Sequence, residues 1–223
     1  KGVGVVIPVL LDYQHNVVVL DIKQENFDLT SGYRQSMGQK IFMFNPFAEN
    51  GCTHRWNPFR YVAESHEQRV GDLRGIAQML YPDGDGSGNQ QFFNDHARNV
   101  FLALSLYLFE TWENSKNRKR PLPYPTFGGL YRIAAGDGED IKTYYANLSN
   151  AHHLSDTCRT AFAGFMSQAK ETFSSIMGSF NAPLTAWADP LLDAATSGDD
   201  FDLRQLRKEK TSVYLHVPAA EVL

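Results

Sequence analysis

Short β-branched runs stand in two blocks that a long helical stretch separates, and this spacing constrains the fold more than any other feature. The first block contains residues 17–20 and 41–44, and the second contains residues 211–217. From about residue 64 to about residue 167 such runs are missing, and apolar residues recur at the three-to-four spacing of amphipathic helices. The pattern predicts an α/β fold with a large all-α insertion, because domains are often inserted between elements of a host sheet.

The first block predicts a β-α-β unit of a parallel sheet. Residues 17–20 form a continuous apolar run, which suits a strand covered on both faces. Residues 25–37 predict a helix that ends at Gly38, a typical C-terminal signal. We expect residues 17–20 and 212–217 to lie in one sheet, with the helices looping out between them.

Several helices are predicted in the central stretch. The longest, residues 89–114, places Phe93, Ala97 and Val100 on one face. Ser65 and Gln68 resemble a capping box at the start of an earlier helix, which ends near Tyr81. The other predicted helices are residues 126–135, 140–148, 155–168 and 168–187, the last interrupted by Pro183.

Composition excludes several classes of protein. A hydrophobic fraction of 43% and a charged fraction of 21% are typical of a globular chain rather than a disordered or fibrous one. The formal net charge of −4 gives no general attraction to nucleic acid, so any DNA contact must be local. The longest apolar run, residues 100–109, is about half as long as a membrane-spanning helix.

The two cysteines, Cys52 and Cys158, are too few for a disulfide framework, and neither belongs to a C-x-x-C unit. We expect both to be buried, reduced thiols. Zinc ligation by Cys158 with His152 and His153, or by Cys52 with His54, lacks the paired spacing of zinc sites. No metal site is therefore predicted.

The start of the chain contains part of a phosphate-binding pattern. In a P-loop, a lysine closes a glycine-rich turn, contacts the β- and γ-phosphates and opens a helix whose free N–H groups attract anions. Lys1, followed by Gly2, is a candidate for that role. Asp21 ends an apolar strand, where it either coordinates Mg²⁺ or caps the next helix, and Lys23 lies beside it.

A larger set of motifs gives a more specific resemblance. It comprises KGVGVVIP at 1–8, VVVLDIKQENFDLTSGYR at 17–34, FNP at 44–46, AR at 97–98, ETFSSI at 171–176, WADP at 187–190, DDFDL at 199–203 and TSVYL at 211–215. With these motifs the chain resembles the type IV secretion coupling proteins, the conjugal-transfer ATPases, over nearly its whole length.

The resemblance implies a RecA-like P-loop nucleotide-binding domain, formed by residues 1–62 and 170–223, which carries an inserted all-α domain. That all-α domain, residues 63–169, is associated with substrate recognition in the family. Lys1, Gly2, Asp21 and Lys23 are then expected near ATP and Mg²⁺, the cofactors of the longer protein. We expect an internal fragment from the cytoplasmic portion of a bacterial inner-membrane protein, which is a homohexamer at full length, whereas the fragment alone can be monomeric.

Two positions depart from the family pattern. Gly2 stands where a P-loop has the Ser or Thr that binds Mg²⁺, and Gln24 stands where glycine is expected after the strand. The glycine-rich phosphate loop and the acidic strand that positions Mg²⁺ and the attacking water are expected outside this chain. Since phosphoryl transfer depends on positioning and electrostatics, we expect no catalytic residues and no bound cofactor here, and no ATP hydrolysis by the chain alone.

Three aromatic residues are candidates for contact with cargo. Phe92, Tyr144 and Tyr145 lie in the predicted all-α part, where a groove between helices can take apolar residues of a signal segment. Packing in the core is the alternative for each of them.

Charged residues in the same part give weaker signals. Arg98 interrupts an apolar helix face and suits an ion pair, with a cargo contact as the alternative. Residues 83–89 match the opening of an EF-hand loop, but Asn94 stands where a bidentate Glu is typical, which favours a flexible turn. A short basic run meets a nucleic-acid backbone or an acidic partner, or is simply solvated; it contains Arg118, Lys119 and Arg120.

Two functions remain open at this point. A coupling protein recruits secreted effector proteins or a relaxase–DNA complex through its all-α domain, and it delivers them by ATP hydrolysis to a channel made by other secretion components. The alternative is a non-enzymatic helical adaptor, in which the flanking α/β pieces merely complete a fold. The mild acidity of the chain favours protein cargo over DNA.

Overall fold

The computed structural model describes residues 2–84 and 88–217. The chain divides into two compact units. The sheet unit combines the residues up to Asn57 with those from Asp189 onward, and the helical unit is Pro58–Ala188. The helical unit therefore begins before residue 63 and ends after residue 169, so the predicted helix around residues 168–187 belongs to it rather than to the α/β part.

The elements follow the predicted order. The strands are β1 (Val17–Leu20), β2 (Lys40–Phe44) and β3 (Thr211–Leu215). The helices are α1 (Ile7–Asp12), α2 (Glu25–Ser36), α3 (His66–Leu80), α4 (Gly88–Ser115), α5 (Phe127–Ala135), α6 (Ile141–Ser149), α7 (Asp156–Met166), α8 (Lys170–Asn181) and α9 (Pro190–Ala195). Short helices that are not α-helical add Gly2–Val6, Pro58–Tyr61, Ala182–Ala188 and Leu203–Arg207.

The three strands form one parallel sheet in the order β1-β3-β2. Val213 of β3 is in register with Val18 of β1 on one side and with Phe42 of β2 on the other. The expectation that the first and last strand segments share a sheet is confirmed. The strand from the end of the chain lies between the two strands from its beginning.

The two faces of this sheet are covered unequally. On one face, the Tyr214 hydroxyl lies 2.7 Å from Thr30 Oγ1 of α2. On the other face, the ring of Phe201 stacks on Phe42 of β2. Val18 and Leu20 of β1 share that second face but are 50% and 64% exposed. The prediction that residues 17–20 are covered on both faces was wrong, because β1 is an edge strand and the ring of Phe201 lies over β2.

Arg34 of α2 connects the parts of the sheet unit. Its side chain is 1% exposed, and burial lowers the pKa of its guanidinium. The Nε donates to Ser212 Oγ of β3 at 2.6 Å, and the two terminal nitrogens donate to four further acceptors. These are the carbonyls of Leu10 (2.6 Å), Tyr13 (2.8 Å) and His15 (2.6 Å) and Gln39 Oε1 (3.0 Å).

All the N–H groups of an arginine are thereby used, since a guanidinium carries five donors and no acceptor. Every acceptor that Arg34 contacts is neutral. The charge is solvated by carbonyl dipoles in place of water, so the end of α1, the loop before β1 and the start of β3 must hold their positions for this burial to be favourable.

A second connection joins the two flanks of the sheet unit. Arg55 donates through Nη2 to Asp200 Oδ1 at 2.9 Å and through its backbone N–H to Asp200 Oδ2 at 2.7 Å. The Arg55 side-chain hydrogen bond lowers the pKa of the Asp200 carboxyl. Trp56 N–H also donates to the carbonyl of Ala195 at 2.9 Å.

Helix α4 forms the centre of the helical unit. It packs against α3, α5, α7 and α8. Ala97, Val100 and Leu104 of the predicted face are fully buried, and Phe93 of that face is partly buried. Ser65 precedes α3 but makes no side-chain cap, so the predicted capping box is not formed. No helix in the described residues is long and apolar enough to cross a membrane.

Two buried charges fix the neighbours of α4. Arg69 of α3, 2% exposed, makes two hydrogen bonds to the carboxylate of Glu113, at 2.6 and 3.1 Å. Glu110 accepts from the Ser155 N–H at 2.6 Å and from the Ser155 hydroxyl at 2.7 Å, which places a carboxylate at the N-terminus of α7. The sequence analysis missed both contacts.

The substitution Arg34→Lys tests the role of the guanidinium. Lysine keeps the charge but cannot reproduce the planar fork of donors, so buried carbonyls lose their partners at about 1–3 kcal/mol each. We expect the sheet unit to lose at least about 3 kcal/mol of stability. Hydrogen exchange of the Val213 and Tyr214 amides measures it.

Arg207→Lys, at an exposed arginine of the same unit, is the control, with an expected change within about 0.5 kcal/mol. Equal exchange protection in the two variants would contradict a structural role for Arg34.

Candidate functional site

The carboxyl ends of the three strands define the candidate site of the sheet unit. In open parallel sheets, ligands bind in the crevice outside these ends. Asp21 follows β1, Asn45 follows β2 and His216 follows β3. The sequence analysis named Asp21 but missed Asn45 and His216. Asn45 is the first polar residue after the predicted run 41–44 and was findable on that signal, whereas His216 lies inside the predicted strand 211–217.

Asp21 caps helix α2. Its side chain is buried, and its Oδ2 accepts from the Phe27 N–H at 2.8 Å. Its Oδ1 accepts from Asn26 Nδ2 at 3.0 Å. Two roles were predicted for Asp21, a Mg²⁺ ligand or a helix cap, and these contacts are those of the helix cap. Its backbone carbonyl lies 2.7 Å from His216 Nδ1, which donates in the tautomer that carries hydrogen on that nitrogen.

Three further residues, Lys23, Lys1 and Gly2, are expected near the nucleotide. Lys23 is exposed. Gln24 adopts φ 62°, and it is the non-glycine residue with positive φ in the described part of the chain. Gly2 begins the single helical turn that leads into α1, and Lys1 lies outside the described residues.

Asn45 has an unmatched acceptor. The residue is 8% exposed, and its backbone N–H donates to Thr53 Oγ1 at 2.8 Å. Its Oδ1 is buried without a hydrogen-bond partner among the described residues. Buried polar atoms are nearly always satisfied, so this carbonyl oxygen marks a position suited to a donor at the carboxyl edge of the sheet.

The aromatic candidates of the helical unit differ in their exposure to solvent. Phe92 is 42% exposed near the start of α4, with its ring 4.4 Å from that of His96. Tyr144 is half-buried against the core. Tyr145 is fully buried and donates its hydroxyl to the Ala134 carbonyl at 3.0 Å, and burial raises its pKa. The assignment of Tyr145 to a cargo surface is corrected, because the residue belongs to the core.

Arg98 closes the connection between α3 and α4. It donates to the Tyr81 carbonyl at 2.7 Å, to Asp83 at 2.7 Å and to Asp95 at 2.9 Å. The Arg98 hydrogen bond lowers the pKa of the Asp83 carboxyl. Of the ion pair and the cargo contact predicted for Arg98, these contacts are the ion pair. They also occupy the first carboxylate of the EF-hand-like segment, whose residues 85–87 lie outside the described part.

The basic run is open to solvent. Arg118, Lys119 and Arg120 are all exposed on the turn that follows α4. Lys116, just before them, places its ammonium 3.9 Å from the ring centroid of Trp112. The three charges are exposed to solvent, whereas Lys116 is held by a cation–π contact.

The cysteines differ from each other. Cys158 is buried in the helical core, and desolvation raises the pKa of its thiol, as a reduced core cysteine requires. Cys52 is exposed, so the expectation that both thiols are buried was wrong for this residue. Among residues 2–84 and 88–217, no group of three or more His, Cys, Asp or Glu side chains is arranged to hold a metal ion.

The substitution Gln24→Gly tests the turn at the site. A non-glycine residue in the left-handed region is strained by about 1 kcal/mol, whereas glycine adopts it freely. The side-chain hydrogen bond that is lost, from Gln24 to Asp28, is exposed. We expect Gln24→Gly to stabilise the sheet unit by about 0.5–1 kcal/mol, measured by amide exchange in β1 and β3.

The same substitution at Gln35, inside α2, is the matched control. It is expected to destabilise the unit by up to about 1 kcal/mol, because glycine is a poor helix former. A destabilising Gln24→Gly would contradict the left-handed turn.

The chain matches known proteins over nearly all of its length. A family model described as type IV secretory system conjugative DNA transfer matches residues 1–222. Protein VirD4 of Rhizobium rhizogenes is 36% identical over 97% of this chain, and the conjugal transfer protein TraG of Escherichia coli is 26% identical over 97%. The aligned part covers 30% of that VirD4 and 34% of that TraG, so the chain spans about a third of the length of these relatives.

A solved structure is also similar. The plasmid coupling protein TrwB in complex with ADP and Mg²⁺ aligns with 94% of this chain and 48% of its own, with 13% identity and a TM-score of 0.44. The match of the family model from the first residues to residue 222, together with the 36% identity to VirD4, shows that the chain belongs to the type IV secretory system conjugative DNA transfer family.

Proposed function

We propose that this chain is part of a coupling protein that recruits protein or nucleoprotein cargo through its helical unit and drives delivery by ATP hydrolysis in the full-length protein. One observation carries the proposal. The helical unit is inserted between strands of a single parallel sheet, since β1 and β2 precede it and β3 follows it. This arrangement suits a motor domain that presents a separate recognition domain.

The sheet unit is proposed to be a part of a RecA-like nucleotide-binding domain. ATP, bound together with Mg²⁺, supplies the free energy of transport through its hydrolysis. Asn45 Oδ1 fits a bound ATP–Mg²⁺ group, because this oxygen is a buried acceptor without a partner among the described residues and lies at the carboxyl edge of the sheet. Exposed Lys23 offers a cation at the same edge, and Lys1 and Gly2 remain the proposed phosphate contacts from the sequence pattern.

The Asp21 carboxylate has a supporting part in this proposal. Both of its oxygens accept hydrogen bonds from the first turn of α2, so it orients the turn that contains Lys23. A structural carboxylate of this kind holds the nearby backbone in place without contacting the nucleotide.

The cargo surface is proposed on the helical unit. Exposed Phe92 and half-buried Tyr144 offer apolar contacts to a signal segment, and the exposed basic residues attract acidic side chains of a protein partner. The cargo class is secreted effector proteins or a relaxase–DNA complex, handed on to other secretion components. Arg118, Lys119 and Arg120 are the residues proposed for the acidic contact.

The wider setting is also a proposal. We place the chain in the cytoplasmic portion of a bacterial inner-membrane protein that works as a homohexamer. Phosphoryl-transfer enzymes depend on positioned charges from several segments, so the nucleotide site is completed by parts of the full-length protein.

The substitution Phe92→Ala in the full-length protein tests the cargo surface. Removing an exposed ring that anchors a cargo segment is expected to weaken cargo capture by about tenfold, while ATP hydrolysis and thermal stability stay unchanged. Capture is measured with immobilised cargo signal peptides, and hydrolysis by phosphate release.

Met79→Ala is the matched control, because Met79 is an exposed apolar residue of the same unit. Equal capture by both variants would contradict the proposed surface. A full-length protein that captures cargo but hydrolyses no ATP would instead support the non-enzymatic adaptor.

A further inference from the structure

We propose that a groove between α3 and α4 of the helical unit binds an acidic side chain of the cargo segment. The α3–α4 groove has a volume of about 330 Å³ and is lined by Arg74, Gln78, Asp95, Arg98, Asn99 and Leu102. The inference rests on the proposed function, because it assigns a chemical class to the segment that contacts Phe92. That class is a peptide with one carboxylate beside an apolar residue.

Arg74 supplies the available positive charge of the α3–α4 groove. It is exposed on α3, and its guanidinium makes no ion pair or hydrogen bond with the described residues. The second arginine of the lining, Arg98, is already used, since it pairs with Asp83 at 2.7 Å and with Asp95 at 2.9 Å. A guanidinium binds a carboxylate through two parallel hydrogen bonds, so Arg74 suits an incoming Asp or Glu.

The rest of the lining fits a carboxylate on a short aliphatic stem. Asn99 is exposed, and its side-chain amide has no hydrogen-bond partner in the part of the chain that the structure describes. An amide NH₂ group donates two hydrogen bonds, which a carboxylate oxygen accepts. Leu102, 4% exposed, provides an apolar floor. An apolar lining with a few convergent polar groups is typical of a specific binding site.

The α3–α4 groove lies on the side of α4 that also carries Phe92. Seven residues make about two helical turns, so Phe92 and Asn99 lie on one side of α4, about 10 Å apart along its axis. A segment that packs on Phe92 therefore reaches Arg74 with a residue about seven positions away if it is helical, or about three positions away if it is extended.

The charges around Arg74 favour a single carboxylate over a polyanion. Asp83 and Asp95, the partners of Arg98, have side chains that are 68% and 53% exposed. A nucleic-acid strand carries one charge about every 3.4 Å, so it would bring further phosphates against these two carboxylates. Like charges placed together across an interface oppose binding, whereas a peptide with one acidic residue avoids this repulsion.

The test selects binders for the complete 223-residue chain from a phage-displayed library of random peptides. Peptides of about twelve residues are long enough to span both contacts as a helix. Enriched peptides are expected to combine an aromatic or aliphatic residue with Asp or Glu at one of the two spacings. Selection on Arg74→Glu is expected to replace that Asp or Glu by Lys or Arg, because the charge of the groove is reversed.

One enriched peptide, labelled for fluorescence anisotropy, then measures the contact itself. Arg74→Glu is expected to weaken its binding about tenfold or more. When the acidic residue of the peptide is replaced by its amide, the unmodified chain and Arg74→Glu should bind it within about twofold of each other. Such a cycle isolates the pairing of the two side chains from any change in folding.

Lys170→Glu is the matched control, because it makes the same charge change at an exposed position of the helical unit outside the groove. It is expected to alter peptide affinity less than about twofold, since only the long-range field changes. Equal weakening by Arg74→Glu and Lys170→Glu overturns the proposal, as does a selection that enriches no peptide or only peptides without Asp and Glu. An oligonucleotide of about 20 thymidines that binds through Arg74, while acidic peptides do not, also overturns it.

Failure of this inference is distinguishable from failure of the proposed function. In the full-length protein, Phe92→Ala tests the cargo surface itself, whereas Arg74→Glu tests the acidic contact beside it. Capture of cargo signal peptides that falls in Phe92→Ala but not in Arg74→Glu overturns only the acidic contact. Capture that is unchanged in both variants removes the proposed cargo surface as well.

Discussion

The sheet unit depends on the burial of one positive charge without a carboxylate partner. Arg34 is stable in the interior only while neutral acceptors from α1, the loop before β1 and β3 converge on its guanidinium. An isolated buried charge is costly, so the geometry of all these segments is coupled through a single side chain. Since Ser212 is supplied from beyond the helical unit, the arginine also couples the two flanks of the insertion.

The helix that carries Arg34 also reaches the candidate site of the sheet unit. Arg34 lies on α2, whose first turn is capped by Asp21 at the carboxyl edge of the sheet. At the opposite edge it holds the backbone of Tyr13 and His15.

Periodicity was sufficient for the helices and strands but not for their partners. Residues 89–114 were predicted as a helix because apolar residues recur on one face over many turns, and α4 is Gly88–Ser115. The pairing of Arg69 with Glu113 and the unmatched Asn45 oxygen depend on positions that meet only in three dimensions. The exposure of Val18 could not be predicted either, because an apolar run reports the character of a strand and not what covers it.

The central position of β3 has a consequence for synthesis of the chain. Within residues 2–84 and 88–217, β1 and β2 do not pair with each other, and each pairs with β3, which is made after both of them. At about 5–20 residues per second, the ribosome needs roughly 10–30 s to pass from the end of β2 to β3. During that interval the helical unit can already fold on local contacts, while the backbone N–H and C=O groups of β1 and β2 that pair with β3 remain unpaired. Nascent chains of this architecture should therefore engage chaperones early, at the segment around β1 and β2.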